Sequence, residues 1–269
     1  MVRASFGYKT ATYKGEDGLL IERMQLGADT VVCLLLVDGH AGAEAAAHVL
    51  QEMVPTVLRA CGDASPSPAA LGAAVRRAFA ECHAHLRNVT TSGTTVTLVI
   101  VNESRAEVTV ASVGDSFAVL YENKPPKLSS GRGAAAAPHK TLQERTMMLS
   151  CNDRLEDNLA ECERVLTAGY TLGRATRSDG SGPSGPLRAW PGGLACAKAC
   201  GDGDVPSTLI CAEPEIKHVT LPEHGGAIVL CTDGVWDAVD FELAGLLVLD
   251  AARPTEAAER LVKQALQAR

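Results

Sequence analysis

Three acidic positions stand where apolar runs end or the chain turns: Glu16 with Asp17, Asp38 with Gly39, and Asp233 with Gly234. Hard divalent cations take oxygen ligands, and a glycine beside an aspartate lets a backbone carbonyl approach the same ion. A carboxylate just beyond a buried strand is held at a sheet edge, within reach of ions and substrate. A lone Asp-Gly pair is usually only a turn dipeptide. Two such pairs, each closing an apolar run, favour a shared cation site.

Competing chemistries lack their defining residues. The chain has no GxSxG elbow, no Walker GxxxxGK[ST] loop, no HExxH helix and no GxGxxG after a strand. Cys196, Cys200, His83 and His85 do not have the spacing of a common zinc module. A formal charge of −7 without a block of Lys or Arg offers no attraction to nucleic acid or to an anionic membrane.

Residues 31–37 form a continuous apolar run that predicts a buried strand, closed by a sharp turn at Asp38, Gly39 and His40. Helix formers with one apolar face follow over 43–58, and a second helix is predicted over 69–87. Runs at 95–101, 107–113 and 117–121, separated by turn-type residues, predict an antiparallel meander. Strands at 209–211, 215–221 and 227–231 and helices at 240–249 and 254–267 follow. The Pro-, Gly- and Ala- or Ser-rich stretches 123–150 and 178–190 read as surface insertions. Strands bunched together, with helices in pairs between them, predict one α/β domain of the α+β type over 1–269, with helices outside sheets.

Nine cysteines, odd in number and mostly within apolar runs, read as reduced thiols and so as an intracellular protein of the cytoplasm or nucleus. Residues 1–10 lack a signal-peptide core, and the run 31–37 is far below the roughly 20 residues of a membrane helix. A soluble chain, monomeric rather than assembled, is the expectation.

The order of these motifs resembles the type 2C protein phosphatase family over essentially the whole chain. Glu16 with Asp17 is similar to its first acidic motif, DGHAG (38–42) to its second, SGTTV (92–96) to its third, and ASVGDSFAVL (111–120) to a strand-turn-strand bearing Asp115. LRAWPGGLACAKACGD (187–202) and VLCTDGVWDAV (229–239) resemble its late motifs, the latter most specifically. KGED (14–17), RLEDN and ECERV (154–165) suggest the plant-like branch.

The resemblance implies two central, mainly antiparallel sheets between outer helices. It also implies hydrolysis of phosphoserine and phosphothreonine in proteins by a water bridged between two Mg2+ or Mn2+ ions. Asp38 would then bridge both metals, the Gly39 carbonyl and Glu16 would join one, Asp233 would bind the other, and Asp17 would orient water. His40 resembles the general acid that protonates the leaving oxygen, the alternative being a plain turn histidine. Asp115 and Asp237 match positions tied to a weaker third metal or to structuring the site, and Asp202 is as much a structural as a catalytic candidate. The family's phosphate-gripping arginine is replaced here by Thr12, with Lys14 or Lys9 as substitutes. A lysine brings a point charge rather than a fork. Lys198 stands where the family usually has arginine, in a structural role. The family continues past its final helix into a metal-binding turn and a closing strand, which the resemblance leads one to expect and which this sequence, stopping at Arg269, lacks. The loss of the arginine and of that turn opens the alternative of a non-catalytic module that binds phosphoproteins or partners.

Overall fold

The computed structural model describes residues 2–12, 14–124, 141–177 and 179–268. Its first sheet runs in the order β1 (Gly18–Leu26), β2 (Asp29–His40), β3 (Gly93–Asn102), β4 (Glu107–Val113) and β10 (Glu215–Thr220), and short β9 (Cys200–Gly201) pairs with the start of β3. The second sheet is β11 (Gly226–Cys231), β5 (Phe117–Glu122) and β6 (Thr146–Met148). All these strand pairs are antiparallel.

The alternation of side chains along each strand builds the layers. In β2 and β3, Cys33, Leu35, Val37, Val96, Leu98 and Ile100 face α1 (Glu44–Cys61) and α2 (Pro68–Val89), packing on Val49, Met53 and Phe79. Their neighbours Val32, Val99 and Val101 turn the other way and meet Ala118 and Leu120 of β5. The opposite face of β5, with Phe117, Val119 and Tyr121, packs against α5 (Phe241–Leu249) and α6 (Pro254–Ala268). The result is helices, sheet, sheet, helices, the layering that the motif resemblance implies.

Several expectations are corrected. Asp38, Gly39 and His40 belong to β2, because Thr95, Thr94 and Gly93 at the start of β3 supply ladder partners. The turn falls instead at Ala41 and Gly42, at φ 56° and 125°. The meander ends after β4: at Gly114, Asp115 and Ser116 the chain crosses into the second sheet, where β5 pairs with β11 and β6. Residues 209–211 are no strand; only Cys211 bridges, to Lys198, while Leu209 and Ile210 are buried beside α3 (Leu159–Thr167). Of the stretch 123–150, residues 125–140 lie outside the described residues, and 141–150 are not an insertion. They form a short 3-10 turn, then β6, and bury Leu149 and Ser150. Residue 178 lies outside the described residues; the rest of the stretch 178–190, read as a surface insertion, carries β8 (Pro183–Trp190), which forms a separate two-stranded hairpin with β7 (Thr171–Thr176).

Among the described residues no helix is long and apolar enough to cross a membrane. All nine cysteines are free thiols.

Candidate active site

The last residues of β2 carry Asp38 to the rim of the first sheet. Its amide donates to Thr95 Oγ1 (3.2 Å), and the same hydroxyl donates to Ser116 Oγ (3.0 Å). One threonine thus ties the end of β2 to the corner that bears Asp115. That corner needs its glycine: Gly114 sits at φ 103°, and a Cβ there would lie 2.6 Å from the Thr95 side chain.

Glu16 and Asp17 arrive from the segment before β1. The Glu16 carboxylate accepts the Gly42 amide (2.9 Å), and its backbone carbonyl lies so close to Gly39 that a Cβ at position 39 would come within 2.6 Å of it. Burial, then the charges of Asp17 and Asp233, a hydrogen bond that the protonated Asp38 donates to the Asp17 side chain and the charge of Asp115 push the Asp38 carboxyl up to about 8. Like charges this close cannot all ionise cheaply without a cation.

Asp233 opens the single-turn helix α4 (Asp233–Trp236) after β11, and Asp237 follows it. Trp236 anchors that turn, donating its indole N–H to the Phe117 carbonyl (3.1 Å) and stacking on the Phe117 ring. The carboxylates therefore come from both sheets and from the corner between them.

Arg154 lies among three of them. Its Nε donates to Asp115 (3.1 Å), Nη1 to Asp237 (2.7 Å) and Nη2 to Asp233 (2.8 Å). On the other side of Asp38, His40 Nε2 is 2.7 Å from Asp202 Oδ1. Asp202 is buried at φ 56°, its amide bonded to the Ser92 carbonyl and its own carbonyl to Arg87. Burial works against protonation of His40, but the Asp202 hydrogen bond and charge, helped by Asp38 and Asp115, prevail and raise its pKa.

The donor set suits a hard divalent cation: it is all oxygen, it crowds like charges around Asp38, and the missing side chain of Gly39 lets the Glu16 segment pack directly against the end of β2. Among the described residues, however, no three His, Cys, Asp or Glu side chains already converge as a ready metal site. With Arg154 held by Asp115, Asp233 and Asp237, and Glu16 bonded to Gly42, those carboxylates must reorient to hold an ion.

A profile of the family described as Protein phosphatase 2C matches residues 12–269. The chain belongs to the protein phosphatase 2C family. "Probable protein phosphatase 2C 12" of Arabidopsis thaliana is 34% identical over 97% of the chain and 57% of that protein. "Probable protein phosphatase 2C 69" of Oryza sativa subsp. japonica is 34% identical over 98% of the chain and 59% of the relative. The chain thus spans somewhat over half the length of these curated relatives. Among solved structures, a C. elegans sex determining protein superposes with a TM-score of 0.74 at 20% identity, over 96% of this chain and 59% of that one. The serine-threonine phosphatase 2C of Toxoplasma gondii gives 0.64 at 15% identity, over 95% and 92%. At those identities the likeness concerns the fold.

In this protein phosphatase 2C chain, Glu16, Asp17, Asp38, Gly39, His40, Asp115, Asp233 and Asp237 gather at one rim. Lys14 is less engaged: its side chain is 81% exposed and its ammonium lies 3.9 Å from Glu16. Thr12, at the position of the family's arginine, accepts the Gly15 amide and shapes the turn instead. Lys198 pairs with Asp153 (3.1 Å) and Glu161 (3.4 Å), away from the rim carboxylates. Arg154 is the residue that sequence reasoning missed. It was in view in RLEDN, but nothing local to that string ties it to Asp115, Asp233 and Asp237; the remaining signal was charge balance, since clustered carboxylates favour a cation near them.

Proposed function

We propose that this chain hydrolyses phosphoserine and phosphothreonine in proteins, with Mg2+ or Mn2+ as cofactor. The observation that carries the reading is the crowding of Asp17, Asp233 and Asp115 around the partly buried Asp38 at the end of β2, which pushes its carboxyl well above the usual carboxylate range. Such a group is poised to exchange its proton for a cation. Asp38, Asp233, Glu16 and the Gly39 carbonyl are the groups that would hold divalent ions, with Asp115 and Asp237 beside them. The chemistry such ions supply is Lewis acidity towards phosphate and water.

The chain's own groups do the rest. Asp17, hydrogen-bonded to Asp38, is placed to orient a water. Asp202 favours the protonated form of His40, which can deliver its proton to the seryl or threonyl oxygen as that oxygen leaves. Lys14 is the nearby cation for the substrate phosphate, a point charge without a guanidinium's two-pronged grip.

The test is phosphate release from a phosphothreonine peptide with Mn2+, with EDTA, and by Asp38→Asn. Release that needs Mn2+ and disappears in both controls supports the reading. A folded chain that binds the peptide without turnover in Mn2+ makes it a phosphatase-like binding module instead.

A further inference from the structure

Arg154 is the side chain at this rim whose chemistry the proposed reaction does not use. Its guanidinium directs three different nitrogens at three carboxylates from two places in the chain: Asp115 at the β4–β5 corner, and Asp233 and Asp237 at the two ends of the α4 turn. Arg154 and Asp115 are only 18% and 14% exposed, so that bond is weakly screened, whereas Asp233 and Asp237 are 42% and 52% exposed and their bonds are softened by water. The backbone beneath it is fixed. Arg154 N donates to Asn152 Oδ1 (3.0 Å), Arg154 bridges to Cys196, and the flanking residues are anchored. Asp153 is buried, paired with Lys198 and bonded to the Gly114 amide; Leu155 is buried in the cluster below α3. The side chain can therefore leave the carboxylates only by rotating about its own bonds. Its charge is permanent, since guanidinium does not deprotonate in proteins.

We propose that Arg154 is a built-in counter-cation of this rim, holding Asp115, Asp233 and Asp237 together and competing with divalent ions for them. The inference rests on the reading of the rim as a divalent-cation site. A single delocalised charge cannot match a divalent ion for a carboxylate cluster. Arg154 lowers metal affinity without abolishing it, and keeps the corner ordered when ions are scarce. It is a positioning residue, acting through the carboxylates rather than on substrate.

The experiment titrates the full chain with Mn2+ alone, following free Mn2+ by its electron paramagnetic resonance signal, for wild type, Arg154→Met, Arg154→Lys and Asp38→Asn. Arg154→Met should bind Mn2+ at least about fivefold more tightly than wild type, because the competing charge is gone. Arg154→Lys should fall between them, because one ammonium cannot span three carboxylates. In EDTA, Arg154→Met should melt below wild type, and added Mn2+ should close that gap.

Binding by Arg154→Met no tighter than wild type overturns the proposal. If Arg154→Met yields no folded protein, Arg154→Lys decides: binding equal to or weaker than wild type overturns it. The outcomes also separate this proposal from the reading beneath it. Mn2+ binding that Asp38→Asn abolishes but Arg154→Met leaves unchanged sinks only the role of the arginine. No Mn2+ binding by wild type, Arg154→Met or Asp38→Asn sinks the metal site and the proposal with it.

Discussion

His40 Nε2 lies 2.7 Å from Asp202 Oδ1, joining the end of β2 to a buried carboxylate 162 residues later in the chain. The second oxygen of Asp202 is buried without a partner, so the desolvated charge bears mainly on the imidazole. Burial alone would lower the His40 pKa; Asp202 overturns that and raises it above the ordinary 6.5. A raised folded value means stabilisation that is complete below 6.5 and lost as pH rises through the folded pKa. Asp202→Asn should therefore lower the His40 pKa, read directly from its ring resonances by NMR. In the proposed reaction, where a protonated His40 is the donor, the alkaline limb of kcat should move to lower pH with it. An unmoved imidazole titration would show that Asp202 serves the backbone turn alone.

Gly39 faces a neighbour that cannot step aside. A Cβ at that position would come 2.6 Å from the Glu16 carbonyl oxygen, a backbone atom. Gly39→Ala must push away the segment that carries both Glu16 and Asp17. Overpacking of this kind costs about 1–3 kcal/mol. Chemical denaturation should report that loss, and Mn2+ affinity should fall as well. A variant with wild-type affinity would remove Gly39 from the ligand-positioning scheme.

Trp236 couples the second sheet to the acidic rim, because it lies between Asp233 and Asp237 and stacks on Phe117, with Phe241 tilted against it. The side chain is half-buried, so Trp236→Ala should cost about 2–3 kcal/mol, below the range for a fully buried tryptophan. Trp236→Phe keeps most of the stacking and loses the bond to the Phe117 carbonyl, for about 1 kcal/mol. Urea melts measure both. If the Ala variant also binds Mn2+ more weakly while the Phe variant does not, ring packing is what sets the position of the two aspartates.

The rim was legible in the sequence wherever its chemistry is written in short strings. DGHAG, SGTTV and DGVWD each place an acidic or small residue at a strand end, and β2, β3 and β4 announce themselves as apolar runs because both their faces are covered. β1 gives no such signal: its sequence GLLIERMQL belongs to an edge strand with one side towards solvent. Asp-Gly looks like a turn, yet Asp38 and Gly39 are extended because the first residues of β3 bond to them across the sheet. The least legible feature is Arg154, which stands 39 residues from Asp115 and 79 from Asp233 in sequence. No local periodicity records a contact that exists only once two sheets are packed.

Asp38 makes the ion-free protein sensitive to pH in a defined direction. Its carboxyl titrates at 3.8 when free and is pushed up to about 8 in the fold, by burial first and then by Asp17, Asp233 and Asp115. Between those values the folded state holds a proton that the unfolded state has released, so folding is favoured by acid over that window. The Asp38 contribution to stability in EDTA should be complete below 3.8, fall as pH rises, and vanish above about 8, where both states are ionised. Asp38→Asn removes the ionisation and should flatten this slope. Saturating Mn2+ should reverse it, because an ion bound by the ionised carboxylates favours the folded state more as the proton leaves. Urea denaturation at pH 5, 7 and 9, with EDTA and with Mn2+, measures both slopes. A wild-type slope in EDTA no steeper than that of Asp38→Asn would mean that Arg154 neutralises the cluster well enough to leave Asp38 ionised.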